Sequence, residues 1–157
     1  TATLLHEGER VSSTRIREVL GQGDFALAEH LLGRPYSIAG RVIVGQQLGR
    51  TIGAPTANIQ LRRLRSPLSG VFAVQVAGVS DSLLPAVANV GLRPTVGDLS
   101  KAILEVHLLD FEGDLYRRNI RVLFREKLRN EIKFDGIDAL SEQISRDIAQ
   151  ARRFFSL

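Results

Sequence analysis

From Tyr36 onward the chain alternates short runs rich in Val, Ile and Leu with Gly, Pro and Ser turns, and this texture narrows the possible folds more than any other feature. Strand-like stretches fall near 36–44, 56–60, 71–78, 84–91, 102–109 and 119–125. Short strands at this spacing predict a closed or nearly closed antiparallel sheet. The flanks read differently. "SSTRIREVL" (12–20) begins with an N-capping hydroxyl and sets Ile16, Val19 and Leu20 at helical spacing. "DFALAEHLL" (24–32) has Asp24 as N-cap and Gly33 as stop. At the other end, residues 138–155 place Leu140, Ile144, Ile148 and Ala151 on one helical face with charges opposite, which predicts an amphipathic helix lying on the barrel. Residues 1–10 read as a polar remnant.

Composition excludes several classes of function. The 157 residues fit one ordinary domain, and 44% hydrophobic content supplies a core. No apolar run approaches the roughly 20 residues of a membrane span. There is no cysteine, so disulfides and thiolate metal sites are ruled out, and His6, His30 and His107 lack zinc spacing. A cytoplasmic protein is the expectation. The chain starts Thr1-Ala2-Thr3 and holds no methionine, so it reads as a piece of something longer. Its formal charge of +4 suits a polyphosphate ligand as well as a nucleic acid.

Two stretches carry candidate chemistry. Gly45, Gly49 and Gly53 punctuate "VGQQLGRTIGAP", with Arg50 among them. Glycine lets backbone N–H groups approach a phosphate, and Arg supplies a rigid fork of donors. This is neither a Walker loop nor a dinucleotide fingerprint, and a plain connecting loop is the simpler reading. In Pro55-Thr56-Ala57-Asn58, an extended backbone turns the Thr56 and Asn58 side chains to one face, roughly 7 Å apart along the chain. Two neutral oxygens suit Mg²⁺ when a nucleotide's phosphates bring the negative charge, whereas closing a turn is the alternative.

The second stretch is "AILEVHLLDF" (102–111). Ala102, Leu104, Val106 and Leu108 form one face, and Ile103, Glu105, His107 and Leu109 the other. A carboxylate among such neighbours is the kind of group that burial turns into a general base near neutral pH. A rim glutamate paired with an arginine is the competing reading, since all but three of the 21 basic residues are Arg. His107 reads as a packed or hydrogen-bonded histidine.

Five blocks, "LGRTIGAPTANI", "GVFAVQV", "ANVGLRPTVG", "LEVHLLDFEGDLY" and "LRNEIKFDGIDALSEQISRDIAQAR", together resemble the riboflavin kinase module, more narrowly the C-terminal half of the bacterial bifunctional riboflavin kinase/FAD synthetases. The likeness runs from about Tyr36 to Phe155. It implies a six-stranded antiparallel Greek-key barrel with a C-terminal helix. It also implies Mg²⁺-dependent transfer of the γ-phosphoryl group of ATP to the ribityl 5′-hydroxyl of riboflavin, giving FMN. By the same resemblance Thr56 and Asn58 bind metal and nucleotide, with Gly45, Arg50, Gly53 and Pro55 around the nucleotide. Glu105 is then the catalytic base, and Arg129, Glu131 and Phe134 hold the flavin ring.

"SSTRIR" (12–17) is similar to a late motif of the adenylyltransferase half, which implies that residues 1–33 belong to that preceding domain and its linker, and that 34–157 form the kinase domain. None of the three histidines sits in the His-x-Gly-His motif which that half requires, so FAD synthesis is not expected. The partners implied are ATP, riboflavin and the adenylyltransferase domain of the same full-length chain, with no nucleic acid and no membrane. Two positions depart from the family pattern. Ala54 replaces a bulky apolar residue, and Arg117 stands where the family has Gly, which raises the question whether that turn keeps a positive φ. The alternatives are a flavin-binding barrel without turnover and an OB-like nucleic-acid-binding barrel. The kinase reading requires the Thr56 and Asn58 oxygens to face the carboxylate of Glu105.

Overall fold

The computed structural model describes residues 4–6, 9–11, 13–43, 57–60, 68–94, 100–110, 115 and 117–157. Its elements in chain order are β1 (Leu4–His6), β2 (Glu9–Val11), α1 (Ser13–Gly21), α2 (Phe25–Leu32), β3 (Ser37–Ile43), β4 (Ala57–Gln60), β5 (Gly70–Ala77), β6 (Leu84–Pro94), β7 (Ser100–Leu108), β8 (Asn119–Arg129) and α3 (Ile137–Phe154). Strands β3 to β8 close into one barrel in the order β3-β4-β7-β6-β5-β8, antiparallel throughout. The meander β5-β6-β7 with β4 returning beside β7 is a Greek key. All six barrel strands lie where the alternation placed them. The segment read as a polar remnant instead contains a small hairpin, with Leu4 opposite Val11 and His6 opposite Glu9.

The barrel interior is filled by side chains from every strand, among them Val42, Ile59, Phe72, Val90, Val106 and Phe124, all essentially without solvent contact. Helix α2 closes one end. Asp24 accepts a hydrogen bond from the Leu27 amide at 3.1 Å, capping the first turn, and Gly33 ends the helix in the left-handed conformation. The ring of Phe25 then lies 5.6 Å from Phe72 and 5.8 Å from Phe124, edge-on and tilted. Val19, Leu20, Ala28 and Leu31 join the same core, so both N-terminal helices pack on the barrel.

Arg117, just before β8, adopts φ +68. The turn therefore keeps the positive φ that glycine would take easily. It is held by hydrogen bonds from the Arg117 amide to the Val42 carbonyl (3.0 Å) and from the Val42 amide to the Arg118 carbonyl (2.9 Å).

Strand β5 reads as an almost continuous apolar run because both of its faces are covered. Phe72, Val74 and Val76 point inward, while Val71 and Ala73 point outward under α3 and meet Val87, Leu109 and Ala151. Two polar ties fix α3 on this outer wall. Near the helix middle, the Arg129 guanidinium makes a bidentate pair with Asp147 (2.9 and 2.8 Å), and Gln143 donates to the same carboxylate at 3.0 Å. Asp147 is 3% exposed. In the last turn, Arg152 pairs with Asp110, a solvent-exposed contact. The hydrogen bond from Arg152, with its charge adding to the effect, holds the Asp110 carboxyl below its usual range. That pair's contribution is present above the ordinary carboxylate pKa and is lost as pH falls through the lowered one.

The two ties should differ in weight. Asp147→Ala leaves a largely buried guanidinium unpaired and should lower unfolding stability by about 3 kcal/mol. Asp110→Ala removes an exposed, salt-screened pair and should barely move the denaturation midpoint at neutral pH. Urea titrations of both variants check this, and equal shifts would contradict it.

Candidate active site

Strand β7 supplies the centre of the site. Leu104, Val106 and Leu108 face the interior, so strand alternation turns Glu105 and His107 outward. On β4, Ala57 and Ile59 are inside and Asn58 is outside. On β6, Ala86, Ala88 and Val90 are inside, while Val87, Asn89 and Gly91 are outside. Register aligns the outward residues: Asn58 lies opposite Glu105, Glu105 opposite Asn89, Asn89 opposite Val71, and Val71 opposite Arg129. Five strands thus contribute one rung to the outer wall. Glu105 stands mid-strand between two amides, not at a barrel rim. Directly opposed residues bring their Cβ atoms to roughly 4.5–5.5 Å, within reach of a shared ligand.

The two amides differ in surroundings. Asn58 is 7% exposed, and its buried side-chain oxygen accepts no hydrogen bond among the described residues. An orphaned acceptor costs about 1–3 kcal/mol, a cost that a bound cation or donor would remove. A hard neutral oxygen beside a carboxylate fits Mg²⁺. Among the described residues no three His, Asp or Glu side chains cluster as a metal site, so such a cation would depend on neutral oxygens and on its ligand's own charge. Asn89, by contrast, is exposed and lines an open cavity of about 220 Å³.

That cavity lies between the outer wall and α3. Val71, Val87, Asn89, Glu105 and His107 form its floor, and Leu140, Ile144 and Ile148 of α3 its roof. The segment after β8 closes the far end. The Arg129 guanidinium, already paired with Asp147, lies 5.8 Å from the centre of the Phe134 ring, a cation–π contact. The Glu131 carboxylate rests against Gly91, in the space that a Cβ there would fill. The arrangement offers a flat apolar slot with a polar end at Arg129 and Glu131, and a carboxylate-amide pair at the other end.

Of the residues singled out by sequence, Glu105, Arg129, Glu131 and Phe134 line one cavity, and Asn58 adjoins it across the strand from Glu105. Gly45, Arg50, Gly53, Pro55 and Thr56 lie outside the described residues, as does Ala54. Sequence reasoning passed over Asn89, Gly91 and Asp147. A period-two reading of "VANVG" would have shown Val87, Asn89 and Gly91 sharing a face, with Asn89 its polar member. Asp147 lies on a helix rich in charge, and nothing in its spacing separates it from the solvated residues.

The chain resembles known proteins in both sequence and fold. A family profile described as riboflavin kinase matches residues 32–155. The bifunctional riboflavin kinase/FMN adenylyltransferase of Escherichia coli (strain K12) is 53% identical over 157 residues, covering 100% of this chain and 50% of that protein. The protein of the same name from Pseudomonas fluorescens is 55% identical over 146 residues, 93% of this chain and 47% of that protein. The chain therefore spans about half the length of the curated relatives it matches. Among solved structures, one named a macrolide-efflux protein, from Streptococcus pneumoniae, superposes with a TM-score of 0.81 at 35% identity, over 96% of this chain and 49% of that one. The riboflavin kinase of Trypanosoma brucei superposes at 0.54 with 24% identity, over 78% of this chain and 80% of that one, and shows the fold alone. Among the described residues no helix is long and apolar enough to cross a membrane.

Two glycines beside the slot should respond oppositely to alanine. Gly70 has φ +124, and a Cβ there would strike the Arg129 carbonyl, so Gly70→Ala should cost more than about 1 kcal/mol. At Gly91 the obstacle is the tip of an exposed glutamate that can swing away, so Gly91→Ala should stay within about 0.5 kcal/mol of the parent. Thermal unfolding of the two variants measures the difference, and a Gly91→Ala loss as large as that of Gly70→Ala would refute the placement of Glu131.

Proposed function

This chain belongs to the riboflavin kinase family, and from that premise we propose that it transfers the γ-phosphoryl group of ATP to the terminal ribityl hydroxyl of riboflavin, releasing ADP and FMN. The observation that carries the reading is the pairing of Glu105 with Asn58 at one end of an apolar slot, opposite Arg129 and Glu131. The slot suits a flat, amphipathic ring system. Arg129 and Glu131 at its far end offer a donor and acceptors for the ring's polar edge, and Phe134 adds an aromatic face. With the ring there, the polyol tail runs along the rung toward Glu105.

Glu105 accepts the hydrogen bond of the terminal hydroxyl. As the new O–P bond forms and the bond from the γ-phosphorus to the β,γ-bridging oxygen breaks, the proton passes to the carboxylate and the electron pair leaves with ADP. Asn58, with Thr56 beside it, would hold Mg²⁺, which when bound supplies charge that offsets the build-up on the phosphate oxygens. The glycines Gly45 and Gly53, with Arg50, would enclose the phosphate chain. Positioning and electrostatics carry most of the acceleration in such transfers, and the base a smaller share. The FMN adenylyltransferase activity in the relatives' name is not assigned to this chain, which has no His-x-Gly-His segment. An adenylyltransferase half like theirs would be its partner, with residues 34–157 as the kinase unit. The oligonucleotide-binding alternative has little to support it, because Phe25, Phe72 and Phe124 are packed inside the barrel rather than offered as stacking surfaces.

Incubation with riboflavin and ATP-Mg²⁺ should yield FMN, and chelation of the metal should abolish it. Glu105→Gln should lower kcat about 100-fold or more while riboflavin binding, followed by flavin fluorescence, persists. Near-parental turnover in that variant would remove Glu105 from the role of base.

A further inference from the structure

We propose that Asn89 reads the hydroxyl groups of the substrate's polyol chain and so sets the enzyme's selectivity for a flavin carrying that chain. The proposal rests on the riboflavin kinase reading above and adds a residue to it.

Three observations converge on this residue. Asn89 lies directly across β6–β7 from Glu105, on the side away from Asn58. The rung therefore has a buried amide on one side of the carboxylate and an open one on the other. Asn89 also lines the same cavity as Glu105, Arg129 and Phe134. Finally, its side chain is exposed, and the amide carries two donors and an acceptor.

The spacing defines what this amide can meet. Adjacent strands are about 4.8 Å apart, less than the length of a ribityl chain. A chain whose terminal hydroxyl sits at Glu105 and whose ring lies toward Arg129 must cross β6 on the way. Its inner hydroxyls then pass Asn89, and each hydroxyl can both give and take a hydrogen bond, as the amide can. A carboxylate at this position would repel Glu105 across the strand pair, and an aliphatic residue would leave the hydroxyls unpaired. The neutral amide satisfies both constraints.

The test compares riboflavin with lumiflavin, the same ring without the polyol, by fluorescence titration of the parent protein and of Asn89→Ala. Riboflavin affinity should fall about tenfold in the variant, the weight of one or two hydrogen bonds. Lumiflavin affinity should stay within about a factor of two. Asn89→Ser, which keeps a donor and an acceptor, should recover part of the riboflavin loss and substitutes for the alanine variant if that does not fold. Equal weakening of both flavins, or of neither, overturns the proposal. A parent protein that forms FMN while Asn89→Ala shows no riboflavin-specific loss defeats this inference alone, whereas a parent that binds riboflavin and forms no FMN defeats the kinase reading.

Discussion

A one-residue slip of β7 against its neighbours would carry Glu105 into the barrel and push Leu104 and Val106 out. Closure forbids it. Each barrel strand is paired on both sides, and the interior is filled to the point where Phe72 and Phe124 meet edge to face at 5.3 Å. Admitting a carboxylate there would cost several kcal/mol in desolvation, and expelling two aliphatic side chains would forfeit about 1.5–3 kcal/mol each. Register is thus strongly specified. Among the described residues the interior is filled with apolar side chains and the cavity lies on the outer wall, and the alternation that fills the core also sets Asn58, Glu105 and Asn89 in one row.

A row of polar residues on a barrel's outer wall is not yet a candidate site. Helix α3 makes it one by covering the apolar part of the wall and leaving a slot beside Glu105. The Arg129–Asp147 pair lies where the slot's polar end and the helix attachment coincide. The same guanidinium therefore braces the helix, stacks on Phe134 and lines the cavity. Register shifts between β5 and β8 beside Val71 leave Arg129 opposite that residue on the outward face. Helix attachment and cavity shape are coupled at this arginine.

Much of this was legible in the sequence, for physical reasons. Alternation located the six barrel strands, and Asp24 and Gly33 marked the limits of α2. The spacing of Leu140, Ile144, Ile148 and Ala151 gave the buried face of α3. Glu105 stood out because a charge interrupts an otherwise apolar strand. What escaped depends on contacts between distant segments. Asn89 gains meaning only when β6 and β7 are aligned. The place of Gly91 is set by a glutamate 40 positions later, and Asp147 is told apart from its charged neighbours only by Arg129. The hairpin of β1 and β2 lies in a segment with no sustained alternation to announce it. Arg117 kept a backbone conformation that its side chain does not favour, because hydrogen bonds to Val42 hold the turn.

The most direct measurement is a crystal structure of the chain with FMN, ADP and Mg²⁺. The ring should lie between the barrel wall and α3 near Arg129 and Phe134, the 5′ oxygen within hydrogen-bond reach of Glu105, and the cation on the Asn58 side of that carboxylate. A flavin bound elsewhere on the barrel, or a cation remote from Asn58, would contradict the account.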